Sequence, residues 1–237
     1  MELKSLGQIL KAALIAGLIA GAVASSFHWA FTEPIIERAI EIENRGHAGS
    51  PEQPVVSRPM QKVGLFAGFV IYGVVLGNFL SLLGYAVRPW YAEMGYGRQM
   101  FLLALLLGWV AGVFPFLKYP ANPPGVGEAE TIGYRQELFV ALIVLSLIGT
   151  TVAIAIERRL SNGGKSKRAA VIEGYVIYLA VIYFALPENS GPVNLPSELV
   201  QAFRALSLLG QLLFWGIMGG SFRWLWGKDT KLVSPLS

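Results

Sequence analysis

The amino-acid sequence predicts an all-α, polytopic membrane protein with six transmembrane helices. Three observations carry that prediction: six long apolar stretches, few charges that gather between them, and basic residues that fall on alternate connections. In lipid the backbone must satisfy its own hydrogen bonds, and a helix needs about 20 mainly apolar residues to cross. A soluble chain can bury one or two such stretches, but six in 237 residues leave few polar faces for water.

Ala12–Phe31 opens the series. Lys4 and Lys11 flank it as in a secretory signal, but no small-x-small cleavage stop precedes Phe27, His28 and Trp29, so it reads as a retained first helix. Ala13, Gly17, Gly21 and Ser25 recur every four residues along it. Gly73, Gly77 and Ser81 do the same in the second stretch, Val63–Val87, and each series makes a face that another helix can approach closely. Gln99–Leu117 and Leu138–Ile156 follow as full-length crossings. Gly174–Leu186 is short unless the helix begins near Ala169 and carries Glu173 in its first turn. Ala205–Phe222 closes the set. Trp29, Tyr85, Trp90, Tyr119, Trp224 and Trp226 lie near the ends of these stretches, where amphipathic rings suit the headgroup region.

Only 14% of residues are charged, so the net charge of +4 bears first on orientation. Basic residues mark the N-terminal flank, the second connection (Arg88, Arg98), the fourth (Arg158, Arg159, Lys165, Lys167, Arg168) and the C-terminal flank (Arg223, Lys228, Lys231). With six crossings all of these share one side. The positive-inside bias then puts both termini in the cytoplasm; a prokaryotic cytoplasmic membrane is the expected location. Residues 1–237 read as one integral-membrane helical domain. Its connectors are an external one at 32–62, a Pro/Asn/Gly-rich external one at 118–135 and a basic cytoplasmic one at 157–168.

Several function classes drop out. The chain has no cysteine, which excludes disulfides, thiolate metal sites and cysteine nucleophiles. It has no GxxxxGK[ST] phosphate loop and no HExxH motif, so neither ATP hydrolysis nor zinc-protease chemistry is expected, and the chain does not read as an enzyme. The basic connector is short and fits the orientation pattern, so no nucleic-acid partner is expected.

The least ordinary stretch runs from Pro115 through Tyr119, Pro120, Asn122, Pro123, Pro124, Gly125 and Gly127 to Glu128. Its prolines fix backbone angles and its glycines permit tight turns, which makes a shaped connector. Followed by Thr131-Ile132 and Tyr134-Arg135-Gln136, it resembles the membrane-protein family of cobalt transporter subunits called CbtA. The resemblance continues in the first helix with Thr32-Glu33-Pro34-Ile35-Ile36, in Gln61–Gly77 leading to Arg88-Pro89, and in Leu195-Pro196 with Phe203 to Gln211 and Trp215. It therefore covers most of the chain. The resemblance implies uptake of divalent cobalt linked to cobalamin synthesis, beside a small one-span companion subunit with a histidine-bearing tail. Family members are often assigned five passes, whereas the charge pattern here favours six. A non-catalytic membrane scaffold or regulator of another transporter is the alternative.

Cobalt accepts imidazole and carboxylate ligands, so histidines and outer acids are the candidate contacts. His28 lies at the outer end of the first helix, five residues before Glu33 and therefore off the i,i+4 spacing of a helical metal pair. His47, in the first connection, is a weaker candidate. Glu33, Glu37 and Glu41 form an acidic stripe on a helical extension, reading first as an exposed amphipathic face. Glu128 and Glu130 can concentrate cations at an entrance, Asn122 offers a side-chain carbonyl, and Glu173 is an exit ligand or a structural ion-pair partner. Arg135 and Arg204 fit pairing with acids or headgroups. Co²⁺ is the expected cargo and no resident cofactor is implied. The expected partners are the lipid bilayer, the companion subunit and a separate energy-coupling component.

Overall fold

A computed structural model describes residues 6–46, 56–87, 94–124, 126–127, 129–160, 164–188, 193 and 195–226. His47 and Glu128 lie outside the described residues, as do Lys4, Arg88, Lys228 and Lys231 of the charge pattern. Among the described residues eight α-helices form: α1 (Leu6–Phe27), α2 (Glu33–Gly46), α3 (Arg58–Val87), α4 (Tyr96–Gly108), α5 (Phe114–Lys118), α6 (Ile132–Arg159), α7 (Gly164–Ala185) and α8 (Ser197–Trp226). A π-helical segment, His28–Thr32, joins α1 to α2, and another, Trp109–Val113, joins α4 to α5. Among the described residues six helical rods are long and apolar enough to cross a membrane, and the β-structure is one isolated bridge between Val126 and Val193. The chain is an all-α integral membrane protein.

The rods outrun the apolar stretches that announce them. The first continues through α2, so the acidic stripe is helical as expected. The short fifth stretch becomes α7, which begins at Gly164, so Glu173 lies in its third turn and not its first. The third stretch passes through the π-helical turn Trp109–Val113 and carries Pro115 inside α5.

Small residues set the closest crossing. Ala13, Gly17, Gly21 and Ser25 of α1 meet Gly77, Gly73, Phe69 and Phe66 of α3 in antiparallel register. A Cβ added at Gly17 would overlap the Gly73 carbonyl, one at Gly77 would reach the Ala13 carbonyl oxygen at 2.7 Å, and Ser25 Oγ donates to the Phe66 carbonyl at 3.1 Å. With lipid as solvent there is little hydrophobic drive between helices, so close backbone approach and such hydrogen bonds hold the pair. Ala13, Ala16, Ala20 and Ala24 are fully buried while Leu14, Ile15 and Leu18 face outward.

Two large clusters of buried side chains form among the described residues, with a smaller one around Ala39, Val126, Leu195 and Val200. One joins α1, α3, α4 and α8 around Leu80, Tyr96, Met100, Phe214, Met218 and Phe222. The other joins α5, α6 and α7 around Phe114, Leu138, Leu142, Leu179 and Ile182. Trp109 ties them. Its Nε1–H donates to the Tyr175 hydroxyl at 3.2 Å, and Tyr175 in turn meets Thr150 Oγ1 at 2.7 Å, whose own proton goes to the Ser146 carbonyl.

Candidate functional site

Both π-helical segments have the same local cause. Thr32 is followed by Glu33-Pro34 and Val113 by Phe114-Pro115, so each segment ends two residues before a proline. Proline has no N–H for the i→i−4 ladder, and its ring clashes with the carbonyl four residues back. One extra residue in the turn relieves that clash. Accordingly Glu33 N–H donates to the His28 carbonyl and Phe114 N–H to the Trp109 carbonyl, both five residues back.

The two widened turns border the same cavity. It holds about 670 Å³ and is walled by eighteen residues of α2, α3, α6, α8 and the two π segments, including His28 and Thr32 of one π segment and Ala111 and Gly112 of the other. No Asp, Glu, Lys or Arg is in that wall; its polar groups belong to His28, Thr32, Tyr72, Ser207, Gln211 and Trp215. His28 is 8% exposed, its Nδ1 lies 2.8 Å from Thr32 Oγ1, and its ring stacks on Phe69 with centroids 4.9 Å apart. The Nε2 edge of the ring rests on Gly210, where a Cβ would overlap it. Gln211 Oε1 is buried without a hydrogen-bond partner and lies against Gly112, where an added Cβ would stand 2.6 Å from it. Glycines on α8 and on the second π segment thus make the niches that admit these two side chains.

The other sequence-predicted residues take different positions. Glu33, 4% exposed, is ion-paired with Arg58 and is not in the cavity wall. A buried carboxylate needs such a partner, so the Arg58 guanidinium occupies the group that was a candidate ligand. Glu37 pairs with Lys62, and Glu41 with Arg45. The Lys62 hydrogen bond, and then its charge, hold the Glu37 carboxyl below its ordinary range. Asn122 Oδ1 accepts from Arg204 Nη2 at 2.7 Å and from Nε at 3.3 Å, so its carbonyl is already engaged. Glu130 and Glu173 are exposed. Among the described residues no three His, Asp or Glu side chains gather into a metal cluster.

The Pro/Asn/Gly-rich connector is stitched to its neighbours. Tyr119 donates to the Pro187 carbonyl at 2.7 Å, Val126 bridges to Val193, and Arg135 Nη1 reaches the Val126 carbonyl at 3.4 Å. Burial, and then Tyr134, push the Tyr119 hydroxyl pKa up, so it keeps the proton it donates. Gly127 has φ +88°, which an L side chain rarely adopts, and a Cβ there would overlap Arg135.

Sequence reasoning missed Ser207, Gln211 and the part played by Thr32. A lone glutamine inside the otherwise apolar Ala205–Phe222 was the available signal, because an amide in lipid must have a reason to be there.

Six helices long and apolar enough to cross, with an uncharged cavity lined by imidazole, amide and hydroxyl groups, define a polytopic membrane protein. Residues 6–227 match the model of the family described as "Probable cobalt transporter subunit (CbtA)". The chain belongs to that family. No curated protein and no solved structure matches it.

Proposed function

We propose that the protein is the membrane subunit that takes up Co²⁺ for cobalamin synthesis, with the His28 cavity as the ion's intermediate stop. The supporting observation is the convergence of His28 and Gln211 on one cavity in a chain of this family. With Nδ1–H donating to Thr32, His28 keeps an Nε2 lone pair on the Gly210 side of the cavity wall for a metal to take. This is the usual arrangement in which a second partner fixes the imidazole tautomer. Gln211 Oε1 and the Ser207 hydroxyl add neutral oxygens.

Neutral donors suit transit. A ring of carboxylates would hold a divalent ion too firmly to release, whereas conduction needs binding weak enough to leave. The ion also keeps most of its hydration: six waters at about 30 Å³ each occupy under a third of the cavity's 670 Å³. Desolvation is therefore partial, which lowers the large cost of bringing a charge into a medium of low dielectric. Exposed Glu130 raises cation concentration at the outer entrance and Glu173 receives the ion near the basic end, with both termini in the cytoplasm. The membrane potential or a separate component supplies the driving force, worth about 2.3 kcal/mol per charge per 100 mV. The companion subunit expected from the family resemblance belongs to the same assembly.

The test is uptake by the purified chain in liposomes under an imposed inside-negative potential, with and without the companion. Saturable Co²⁺ uptake that exceeds uptake of Ni²⁺, Zn²⁺ and Mg²⁺, and that falls at least tenfold in His28→Ala, is the expected result. Absence of uptake under every condition sinks the reading. Uptake that requires a second protein and ignores His28→Ala would instead make the chain an auxiliary scaffold.

A further inference from the structure

A second, separate concavity lies between α6 and α7. It holds about 500 Å³ and is lined on α6 and its C-cap by residues from Ile148 to Leu160 and on α7 by residues from Lys167 to Tyr178. Between Ile148 and Leu160 the groove runs about 18 Å at 1.5 Å per residue. That is close to one leaflet, half of a hydrocarbon core about 30 Å thick. Its wall is aliphatic and its hydroxyls are spent: Tyr175 bonds Trp109 and Thr150, and Tyr178 donates to the Leu145 carbonyl at 2.9 Å. Lys167 is the one charged residue in the wall, and it stands at the end where α6 and α7 leave the apolar region. Arg158, Arg159, Lys165 and Arg168 surround that end, opposed by Glu157, which pairs with Arg168, and by Glu173.

Gly174 forms part of the groove wall, and a Cβ added there meets nothing within 4 Å. The helix therefore has open space where a side chain would sit. An apolar slot one leaflet long with a cationic end matches one class of occupant. We propose that the α6–α7 groove binds an anionic phospholipid, with an acyl chain along the slot and the phosphate on Lys167. Basic pockets between transmembrane helices select acidic headgroups in this way, each Lys or Arg near the surface contributing a several-fold preference. Such a lipid covers the outer flank of α7, a helix with only 11% of its apolar window buried inside the protein. The inference is independent of the transport reading.

Native mass spectrometry of the full chain, released from nanodiscs made of equal phosphatidylglycerol and phosphatidylcholine of matched chains, tests it. The wild type should retain phosphatidylglycerol preferentially. Lys167→Ala, at an exposed side chain, should lower that preference about fivefold while leaving the thermal midpoint unchanged. Gly174→Phe, which grows into the open slot, should lose retained lipid of either headgroup. Equal retention of the two lipids by the wild type overturns the proposal, as does undiminished retention by Gly174→Phe. Lys167→Ala separates the cases because it leaves the slot's shape intact.

Discussion

Gly210 leaves the space that the Nε2 edge of His28 fills, and Gly216, farther along the same helix, faces open space. The two glycines therefore predict opposite outcomes for one chemical change. Gly210→Ala forces the imidazole off its stack on Phe69, at a cost of about 1–3 kcal/mol, and should abolish Co²⁺ uptake. Gly216→Ala meets nothing and should stabilise the helix by about 0.5–1 kcal/mol with uptake retained. Thermal unfolding and liposome uptake on both variants read the contrast. At the outer surface the Glu37 carboxyl is depressed by Lys62. Its contribution is present above the ordinary carboxylate pKa and is lost as pH falls through the lowered folded value. Lys62→Met should flatten that acid-side loss, measured as the thermal midpoint against pH. His28 was legible in the sequence as an imidazole at the end of a crossing helix. The engagement of Glu33 by Arg58 and of Asn122 by Arg204 was not, because each pairing joins residues 25 and 82 positions apart.

Prolines shape the elements that carry the site. Pro34 and Pro115 each follow a π-helical segment by two residues, and the two segments supply His28, Thr32, Ala111 and Gly112 to one cavity. Pro34→Ala or Pro115→Ala restores the missing donor and removes the ring clash, so the ladder can return to i→i−4 bonding. Uptake should fall in each variant with the thermal midpoint unchanged or raised. A lowered midpoint with normal uptake would mean that the widened turns are incidental to function. The helices themselves were legible because hydropathy reports them directly, and the four-residue stripes of α1 and α3 named the faces that cross. The π segments were hidden because a proline near a helix end reads equally well as a boundary, and only the continued ladder beyond it distinguishes the two. The length of α7 was hidden for a related reason: its first turns are polar and basic, so apolarity marks only its later part.

The whole molecule combines an alanine- and glycine-laced bundle of α1, α3, α4 and α8 with an α5–α7 unit, and the cavity is walled from both. Six crossings put the basic α6–α7 end and residues before α8 on opposite faces of the membrane. The chain lacks cysteine, so Ser166→Cys and Glu188→Cys can be labelled one at a time without background. In intact cells an impermeant thiol reagent should modify Glu188→Cys and spare Ser166→Cys; the reverse pattern inverts the proposed orientation. Crossing number was legible from apolar length, but the site was not, since it is assembled from five separate rods whose polar residues are scattered singly through apolar sequence. The claim that this cavity is the metal's path is tested most directly at Ser207, which lines it. Ser207→Cys in the otherwise cysteine-free chain should react with a small aqueous thiol reagent, and Co²⁺ should slow that reaction in a saturable way while Mg²⁺ does not. Modification at the same rate with and without Co²⁺ would contradict the account.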